Sequence, residues 1–191
     1  MAKVIAGMTM SIDGFVEDAR GNAAELYPDL DALRDTAYMT DTIAQTGAVL
    51  MGRRTFAMGD PDEYVGNYEF QVPIFVLTHR APLLPPRQDE HLTFTFVTDG
   101  LASAVRQATT AAAGDRAVQV VGGVDVIGQL LEAGAVDELQ VDVMPVLLGA
   151  GLRFSPDGSG PGQARVDKVS WEKVKVQEIG QRTSMLFRAV R

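Results

Sequence analysis

The sequence predicts an α/β fold built on a mixed, mostly parallel sheet that ends in an antiparallel hairpin. Short apolar runs twice lead through glycine into a helical pattern, at 48–56 and 117–131, as parallel strand–helix units do. Two long runs of alternating apolar and polar residues, 169–178 and 183–190, are instead typical of antiparallel strands, and Trp171 is one of their large anchors. We therefore expect one domain over residues 1–191, with helices on both faces of the sheet.

The central unit of this prediction is the stretch from Ala117 to Gly151. Its first strand ends at Gly122-Gly123, a helical pattern follows, and Gly134 is placed just past the C-cap of that helix. A second strand runs from Leu139 to Val143 and ends before Pro145. Paired glycines let the backbone approach a ligand closely, and the N–H groups of the next helical turn favour an anion such as pyrophosphate. Gly-Gly is also common in plain tight turns, so a second site has to support a ligand role.

The same patterns predict the remaining elements. Strands are expected at 3–10, 48–51, 74–77 and 93–97, and helices at 29–44, directly after Gly52, and from Gly100 to about Ala113. Asp29 or Asp31 is placed to cap the first of these helices. The run 155–162 is predicted to be a flexible loop because it consists of Ser, Pro, Asp and Gly.

Composition limits the classes of function. The chain has no cysteine and two histidines, so we expect no thiolate metal site, no cysteine nucleophile and no metal centre. A formal net charge of -8 argues against a nucleic-acid surface. The sequence shows no apolar run of membrane-spanning length and no signal peptide. We therefore expect a cytoplasmic protein whose partners include neither nucleic acid nor membrane.

Three predicted strand ends present residues that a ligand could contact: Gly52-Arg53-Arg54-Thr55, Thr78-His79-Arg80 and Gly122-Gly123. The carboxyl ends of parallel strands share one edge of a sheet, where open α/β folds bind ligands. Arginine offers phosphate a planar, permanently charged donor fork. Three arginines at two of these ends of an acidic chain predict an anion site, the alternative being ordinary solvated charges.

The order and spacing of these motifs resemble the dihydrofolate reductase fold, a three-layer α/β/α arrangement. The residues that resemble it are Met51-Gly52-Arg53-Arg54-Thr55-Phe56, Val76-Leu77-Thr78 and Val120-Val121-Gly122-Gly123. Ser11-Ile12-Asp13-Gly14, the segment 130–139, Pro145 and Leu148-Gly149-Ala150-Gly151 look more like the C-terminal reductase domain (RibD C-terminal type) of bacterial riboflavin biosynthesis. The resemblance covers nearly the whole chain, and its two glycine motifs together are fairly specific.

The resemblance implies an NADPH site. Arg53 with His79 or Arg80 would contact the adenosine 2′-phosphate, Arg54 would lie nearer the pyrophosphate, and the first strand around Met8 and Thr9 would form the floor under the nicotinamide. The residues expected at the cofactor are Thr9, Gly52, Arg53, Arg54, Thr55, Thr78, His79, Arg80, Gly122, Gly123, Val124, Asp125, Val126 and Ile127.

The substrate side resembles folate reductases less. Asp13 and Asp31 are the candidate catalytic carboxylates, with Asp29 and Asp35 as further candidates; an Asx turn for Asp13 and capping or solvation for the others are the alternatives. Folate reductases carry a tryptophan in the loop after the first strand and an arginine for the glutamate tail. Here Trp171 is the one tryptophan, and no Lys or Arg lies between Arg54 and Arg80. A tail carboxylate would therefore be desolvated without a partner, and we expect negligible turnover of dihydrofolate.

Zinc deaminases, to which the riboflavin reductase domain is fused in bifunctional enzymes, use a His/Cys/Cys site that a cysteine-free chain cannot form. The resemblance implies an NADPH-dependent reductase of a small heterocyclic or carbonyl substrate, without the deaminase half. A non-catalytic NADP(H)-binding module is the alternative, and a flavin- or antifolate-binding protein without turnover is a third possibility. The apolar residues of the final strands also predict a homodimer through the sheet edge or the hairpin.

Overall fold

Ten strands and five α-helices lie within residues 2–112, 114–154 and 169–190, the parts of the chain that this computed structural model describes. The strands are β1 Val4–Ser11, β2 Phe15–Asp18, β3 Thr46–Gly52, β4 Ile74–Leu77, β5 Phe94–Val97, β6 Ala117–Val121, β7 Glu138–Met144, β8 Gly151–Arg153, β9 Trp171–Ile179 and β10 Arg182–Ala189. The helices are α1 Leu30–Arg34, α2 Ala37–Gln45, α3 Arg53–Phe56, α4 Leu101–Ala111 and α5 Val124–Glu132. Single 3₁₀ turns lie at Ala24–Leu26 and Pro61–Glu63.

Eight of these strands form one sheet in the order β5-β4-β3-β6-β1-β7-β10-β9, and β2 pairs with β8 separately. Every neighbouring pair from β5 to β7 is parallel. Strand β10 runs antiparallel to both β7 and β9, which closes the sheet with a hairpin. The predicted mixed, mostly parallel sheet with a C-terminal antiparallel hairpin is therefore confirmed.

Helices lie on both faces of the sheet. Successive side chains of a strand point to opposite faces, so the apolar strands present side chains to both helical layers. Helices α4 and α5 cover one face and bury Ala104, Ala108, Ile127 and Leu130 in the main apolar cluster. On the other face, an aromatic cluster packs around Phe56, Tyr64, Phe70 and Phe94. The expected three-layer α/β/α arrangement is confirmed.

The predicted single helix at 29–44 is wrong, because two helices occupy this segment. Thr36 separates them: its hydroxyl oxygen accepts the Met39 N–H at 3.2 Å and caps α2. Asp29 occupies the N-cap position of α1 without a capping hydrogen bond, and Asp31 lies inside the helix. The predicted capping by Asp29 or Asp31 is therefore also wrong; the side chain of Asp29 binds Arg182 instead.

The end of α5 follows the prediction closely. Gly134 has a φ of 61°, its N–H donates to the Leu131 carbonyl at 3.1 Å, and the Ala135 N–H donates to the Leu130 carbonyl at 2.9 Å. This Schellman pattern needs the left-handed conformation that glycine adopts without strain. The predicted loop at 155–162 and the predicted helix end at Ala113 lie outside the described residues.

Candidate active site

A cavity of about 540 Å³ lies over β6, β1, β7 and β10. These four strands are consecutive in the sheet, so three strand spacings, about 14 Å, separate the first from the last. At the β6 side the cavity is lined by Thr55, Gly122, Gly123, Val124 and Asp125, which we call the glycine end. At the β10 side it is lined by Thr9, Tyr38, Gln140, Asp142 and Arg182, which we call the polar floor.

The glycine end is shaped by two residues in the left-handed region. Gly122 has a φ of 65° and Gly123 a φ of 81°, and Gly123 is the N-cap residue of α5. A Cβ atom on Gly122 would lie 3.2 Å from Thr55 Oγ1, so the turn passes directly against that side chain. The first N–H groups of a helix lack intrahelical partners, whereas the Ile127 N–H already donates to the Gly123 carbonyl at 3.0 Å. The amides that can bind an anion are therefore those that precede Ile127.

Arg54 and Glu17 form an ion pair beside the glycine end. Arg54 Nη2 lies 2.9 and 2.8 Å from the two carboxylate oxygens of Glu17, and both residues line the cavity. The arginine side chain is 70% exposed and the glutamate side chain 18% exposed. Asp125 adds a further carboxylate here, bound by Gln129 Nε2 at 3.0 Å. The predicted arginine is thus at the cavity, with its charge shared with Glu17.

The other predicted strand-end residues lie at the same sheet edge but outside the cavity lining. Gly52 pairs with Leu77, so Arg53 and the segment 78–80 follow side by side on neighbouring strands. Arg53, His79 and Arg80 are exposed, whereas Thr78 is buried and its hydroxyl donates to the Arg80 carbonyl at 3.0 Å.

The predicted residues Gly52, Val126 and Ile127 are packed into the structure between β3 and α5. A Cβ atom on Gly52 would lie 3.0 Å from Val126 Cγ2, so glycine at this position lets α5 approach β3 closely. Val126 and Ile127 are both buried in the apolar cluster. Gly52 and the side chains of Val126 and Ile127 therefore hold the glycine end in place, and none of the three residues lines the cavity.

A buried arginine organises the polar floor, which the sequence analysis did not predict. The Arg182 side chain is 1% exposed, and its guanidinium lies 2.7 Å from Asp29 Oδ1, 3.2 Å from Asp142 Oδ2 and 2.9 Å from Thr9 Oγ1. Burial opposes the charge of Arg182, but the hydrogen bond with Asp29 and the charge of Asp142 raise its pKa above the usual range. The same hydrogen bond lowers the pKa of Asp29.

Tyr38 completes the polar floor from the helical layer above it. Its hydroxyl donates to Asp142 Oδ2 at 2.9 Å and accepts a hydrogen bond from Gln140 Nε2. Gln140 and Asp142 reach the same face because they are two residues apart on β7. Burial, together with the neighbouring charge of Asp142, raises the pKa of Tyr38 well above its usual range, so the hydroxyl keeps its proton at neutral pH.

Three buried polar atoms in the described residues have no hydrogen-bond partner: Tyr68 Oη, Gln119 Oε1 and Asp142 Oδ1. All three residues line the cavity. Buried polar groups are normally paired, and leaving one unpaired costs free energy. A ligand in this cavity can supply the missing partners.

The predicted catalytic carboxylates Asp13 and Asp31 are not among the residues that line the cavity. Asp13 accepts hydrogen bonds from Ser11 Oγ at 2.6 Å and from the N–H groups of Leu148 and Gly149 at 3.1 and 2.8 Å. The Ser11 bond is the largest cause of its lowered pKa. Asp31 is fully exposed, 4.0 Å from Arg34. Asp13 thus ties the turn after β1 to the loop after β7.

The described parts of the chain contain neither a metal-binding cluster nor a membrane-spanning helix. No group of three or more His, Asp or Glu residues there is arranged to hold a metal ion. None of the helices in these ranges has the length and apolarity needed to cross a bilayer.

Comparison with known proteins gives the family. A model of the RibD C-terminal domain matches residues 2–185, whereas no curated protein sequence matches the chain. The solved structure of a Shewanella sp. PV-4 protein, ascribed to riboflavin biosynthesis, has 21% sequence identity and a TM-score of 0.75, with 100% of both chains covered. A deaminase/5-amino-6-(5-phosphoribosylamino)uracil reductase from Thermotoga maritima has 16% identity and a TM-score of 0.65, covering 99% of this chain and 57% of that one.

Dihydrofolate reductase from Enterococcus faecalis, complexed with NADP(H), has 16% identity and a TM-score of 0.56, covering 98% of this chain and 96% of that one. At such identities the structural likeness shows a shared fold, of the dihydrofolate reductase type. The family model adds the sequence relationship over nearly the full length. The chain belongs to the RibD C-terminal domain family.

Proposed function

We propose that this protein is an NADPH-dependent reductase of a small heterocyclic or carbonyl compound. The observation that best supports this function is that one cavity joins the glycine end to the polar floor. The cavity extends from an anion-favouring helix start after β6 to hydrogen-bonding side chains on β1, β7 and β10, a width of about 14 Å across the strands. This arrangement suits a dinucleotide and a second ring next to it.

The residues at the glycine end fit the cofactor. Gly122 and Gly123 leave space for the pyrophosphate beside the first turn of α5, where a longer side chain would meet Thr55 or block the approach. Met8 and Thr9 line the cavity next to this turn and would support the nicotinamide. Arg53, with His79 or Arg80, would bind the 2′-phosphate at the neighbouring strand ends. When bound, NADPH would supply a hydride to the carbon of a C=N or C=O bond.

The residues of the polar floor other than Thr9, together with Tyr68, which also lines the cavity, would hold and orient the substrate. Burial raises the pKa of Tyr68 far above its usual range, so its unpartnered hydroxyl keeps a proton that it can donate in a hydrogen bond. The hydroxyl of Tyr38 is fixed by Asp142 and Gln140 and cannot rotate freely. Asp13 and Asp31 have no part in this proposal because neither lines the cavity.

The names of the structural neighbours support the same class of chemistry. The Thermotoga maritima protein is named as a reductase of an aminouracil derivative, and the Enterococcus faecalis enzyme is complexed with NADP(H). This chain spans 57% of the former, so the deaminase named for that protein has no place in the proposal.

A non-catalytic NADP(H)-binding module is the second candidate. The observation in its favour is that neither predicted catalytic carboxylate lies at the cavity. The two candidates share the cofactor site and differ in whether a bound substrate is reduced.

Calorimetric titration with NADPH and NADH, followed by NADPH oxidation with a panel of heterocycles and carbonyl compounds, tests the proposal. We expect NADPH to bind and to raise the thermal midpoint, NADH to do so much less, and dihydrofolate to be turned over negligibly. Equal stabilisation by both cofactors would refute the 2′-phosphate assignment, and no binding of either would refute the proposal. Binding of NADPH without oxidation by any compound would favour the non-catalytic module.

We also propose that two copies pair through β9, which is one of the two edge strands of the eight-stranded sheet formed by the described residues. Val174 and Val176 lie two residues apart on this strand and are 41% and 50% exposed. An open strand edge with apolar side chains favours pairing with another strand. Light scattering should give the mass of a dimer, and Val176→Glu should give a monomer; a monomeric parent protein would contradict the proposal.

A further inference from the structure

We propose that Asp142 recognises an N–H donor of the substrate ring, and that the polar floor takes a planar nitrogen heterocycle without a phosphate group. This inference rests on the proposed function because it assigns the polar floor to the substrate. It goes further because it names the residue that binds the substrate ring and the chemical class of substrate that this residue selects.

The two oxygens of the Asp142 carboxylate have different surroundings. Oδ2 accepts hydrogen bonds from Arg182 Nη1 at 3.2 Å and from the Tyr38 hydroxyl at 2.9 Å. Oδ1 is buried and has no partner among the described residues, although Asp142 lines the cavity. Desolvating a carboxylate oxygen without a donor is costly, so a ligand N–H seated against Oδ1 gains free energy that an apolar ligand cannot.

The side chains around Asp142 suit a flat ring. Thr9 is the register partner of Asp142 on β1, and Gln140 shares its face of β7. Apolar and aromatic side chains from the layer above the sheet complete this part of the lining; they are Tyr27, Leu30, Leu33 and Met39. A few fixed polar groups within apolar walls are typical of sites that orient a small ring.

The charges of the cavity disfavour a phosphate at this end. The acidic residues in the lining are Glu17, Glu69, Asp125 and Asp142, and the basic residues in the lining are Arg54 and Arg182. Both arginines are already paired: Arg54 with Glu17 at 2.8 Å, and Arg182 with Asp29 at 2.7 Å as well as with Asp142. Among the described lining residues, a phosphate beside Asp142 would therefore meet a like charge and no uncommitted cation.

The first experiment compares three probes by NMR titration of the protein saturated with NADP⁺, which is proposed to bind at the glycine end. The first probe, 5,6-diaminouracil, carries ring N–H and amino donors. The second, 1,3-dimethyluracil, has the same ring without N–H groups, and the third is ribose 5-phosphate. We expect 5,6-diaminouracil to bind about tenfold or more tightly than 1,3-dimethyluracil, since one charge-assisted hydrogen bond corresponds to at least that ratio. Ribose 5-phosphate should not displace it. Equal binding of the two uracils, or displacement by ribose 5-phosphate, would overturn the inference.

The second experiment compares two variants, each of which removes one of the two carboxylate charges that pair with Arg182. Asp142→Asn should weaken 5,6-diaminouracil by about tenfold or more, while Asp29→Asn, whose side chain binds the same arginine but does not line the cavity, should change it by less than about threefold. Equal losses would show that Asp142 acts only through Arg182 and would overturn the inference. Retained NADP⁺ binding shows that each variant is folded. If Asp142→Asn does not fold, the comparison of the two uracils in the parent protein tests the assignment of Asp142.

The outcomes separate this inference from the proposed function. Donor-dependent ring binding by a protein that does not bind NADP⁺ would refute the reductase and leave the assignment of Asp142 standing. NADP⁺ binding together with failure of the uracil comparison would leave the cofactor proposal standing and refute the assignment.

Discussion

The glycine end and the polar floor lie in one cavity but are assembled differently. The glycine end consists largely of consecutive residues, Gly122 to Asp125, at the junction of β6 and α5. The polar floor joins side chains far apart in the chain: 173 positions separate Thr9 from Arg182, and 104 separate Tyr38 from Asp142. The glycine end is formed by backbone groups and glycine, and the polar floor is formed by buried charged and polar side chains.

This difference has consequences for function and for stability. Changes at the glycine end should affect cofactor binding and leave the fold largely intact, because the site uses backbone groups at the rim of the sheet. Changes in the polar floor should affect the fold itself, because Arg182 and Asp142 are buried and paired with each other. The following experiments test this contrast in order of expected effect.

Replacing the buried arginine should have the largest effect. Arg182→Met keeps much of the side-chain volume but leaves Asp29 and Asp142 without their cationic partner, which should lower the free energy of unfolding by about 3–5 kcal/mol. Arg188→Met is the matched control on the same strand, since that arginine is 53% exposed and pairs with Glu138 at 3.1 Å; about 1 kcal/mol or less is expected. Urea unfolding measures the free energy of unfolding of both variants. Equal losses would show that the buried Arg182 contributes no more to stability than the exposed Arg188.

A charge at the glycine end should remove cofactor binding without unfolding the protein. Gly123→Asp places a side chain and a negative charge where the pyrophosphate is proposed to bind, and NADPH affinity should fall by at least about a hundredfold. Gly134→Asp is the control: its φ of 61° imposes similar strain to the 81° of Gly123, but the residue follows the opposite end of α5. Calorimetry showing the same NADPH affinity in both variants would contradict the pyrophosphate assignment.

The two neighbouring arginines of α3 should differ in effect. Arg53 is exposed beside the end of β4, so Arg53→Ala should weaken NADPH about ten- to a hundredfold and leave NADH nearly unchanged. Arg54 is already paired with Glu17 and 70% exposed, so Arg54→Ala should weaken both cofactors alike, by less than about tenfold. Titration of both variants with both cofactors separates these roles. If Arg53→Ala lowers the affinity for both cofactors equally, Arg53 does not bind the 2′-phosphate.

The smallest expected effect is the pH dependence that Asp29 contributes. The hydrogen bond from Arg182 lowers the pKa of Asp29 in the folded protein, so its contribution to stability is complete above the unfolded pKa, about 3.9. That contribution is lost as the pH falls through the lowered folded pKa. Asp29→Asn should therefore flatten the loss of unfolding free energy below about pH 4, whereas Asp31→Asn, at an exposed position, should not. If the free energy of unfolding of both variants falls in the same way at acidic pH, the contribution assigned to Asp29 is contradicted.

Local sequence patterns were enough to predict the sheet, its hairpin and the glycine end. Strand runs, glycine turns and helix periodicity are local patterns, and the resulting elements lie close to the predicted bounds. Gly134 shows why: its left-handed conformation at the end of α5 depends on a few neighbouring residues. The split between α1 and α2 was missed, although Thr36, a good capping residue, was a local signal for it.

The polar floor and the roles of the aspartates depend on contacts between distant parts of the chain, which form only in the folded protein. Arg182 reads in the sequence as one more polar residue at the start of an alternating strand, and nothing nearby shows that it would be buried against Asp29 and Asp142. Asp13, which local reasoning made a catalytic candidate, instead binds backbone amides 135 and 136 positions away. Long-range pairing depends on the order of β1, β7 and β10 in the sheet, because side chains on adjacent strands meet whatever their separation in the chain.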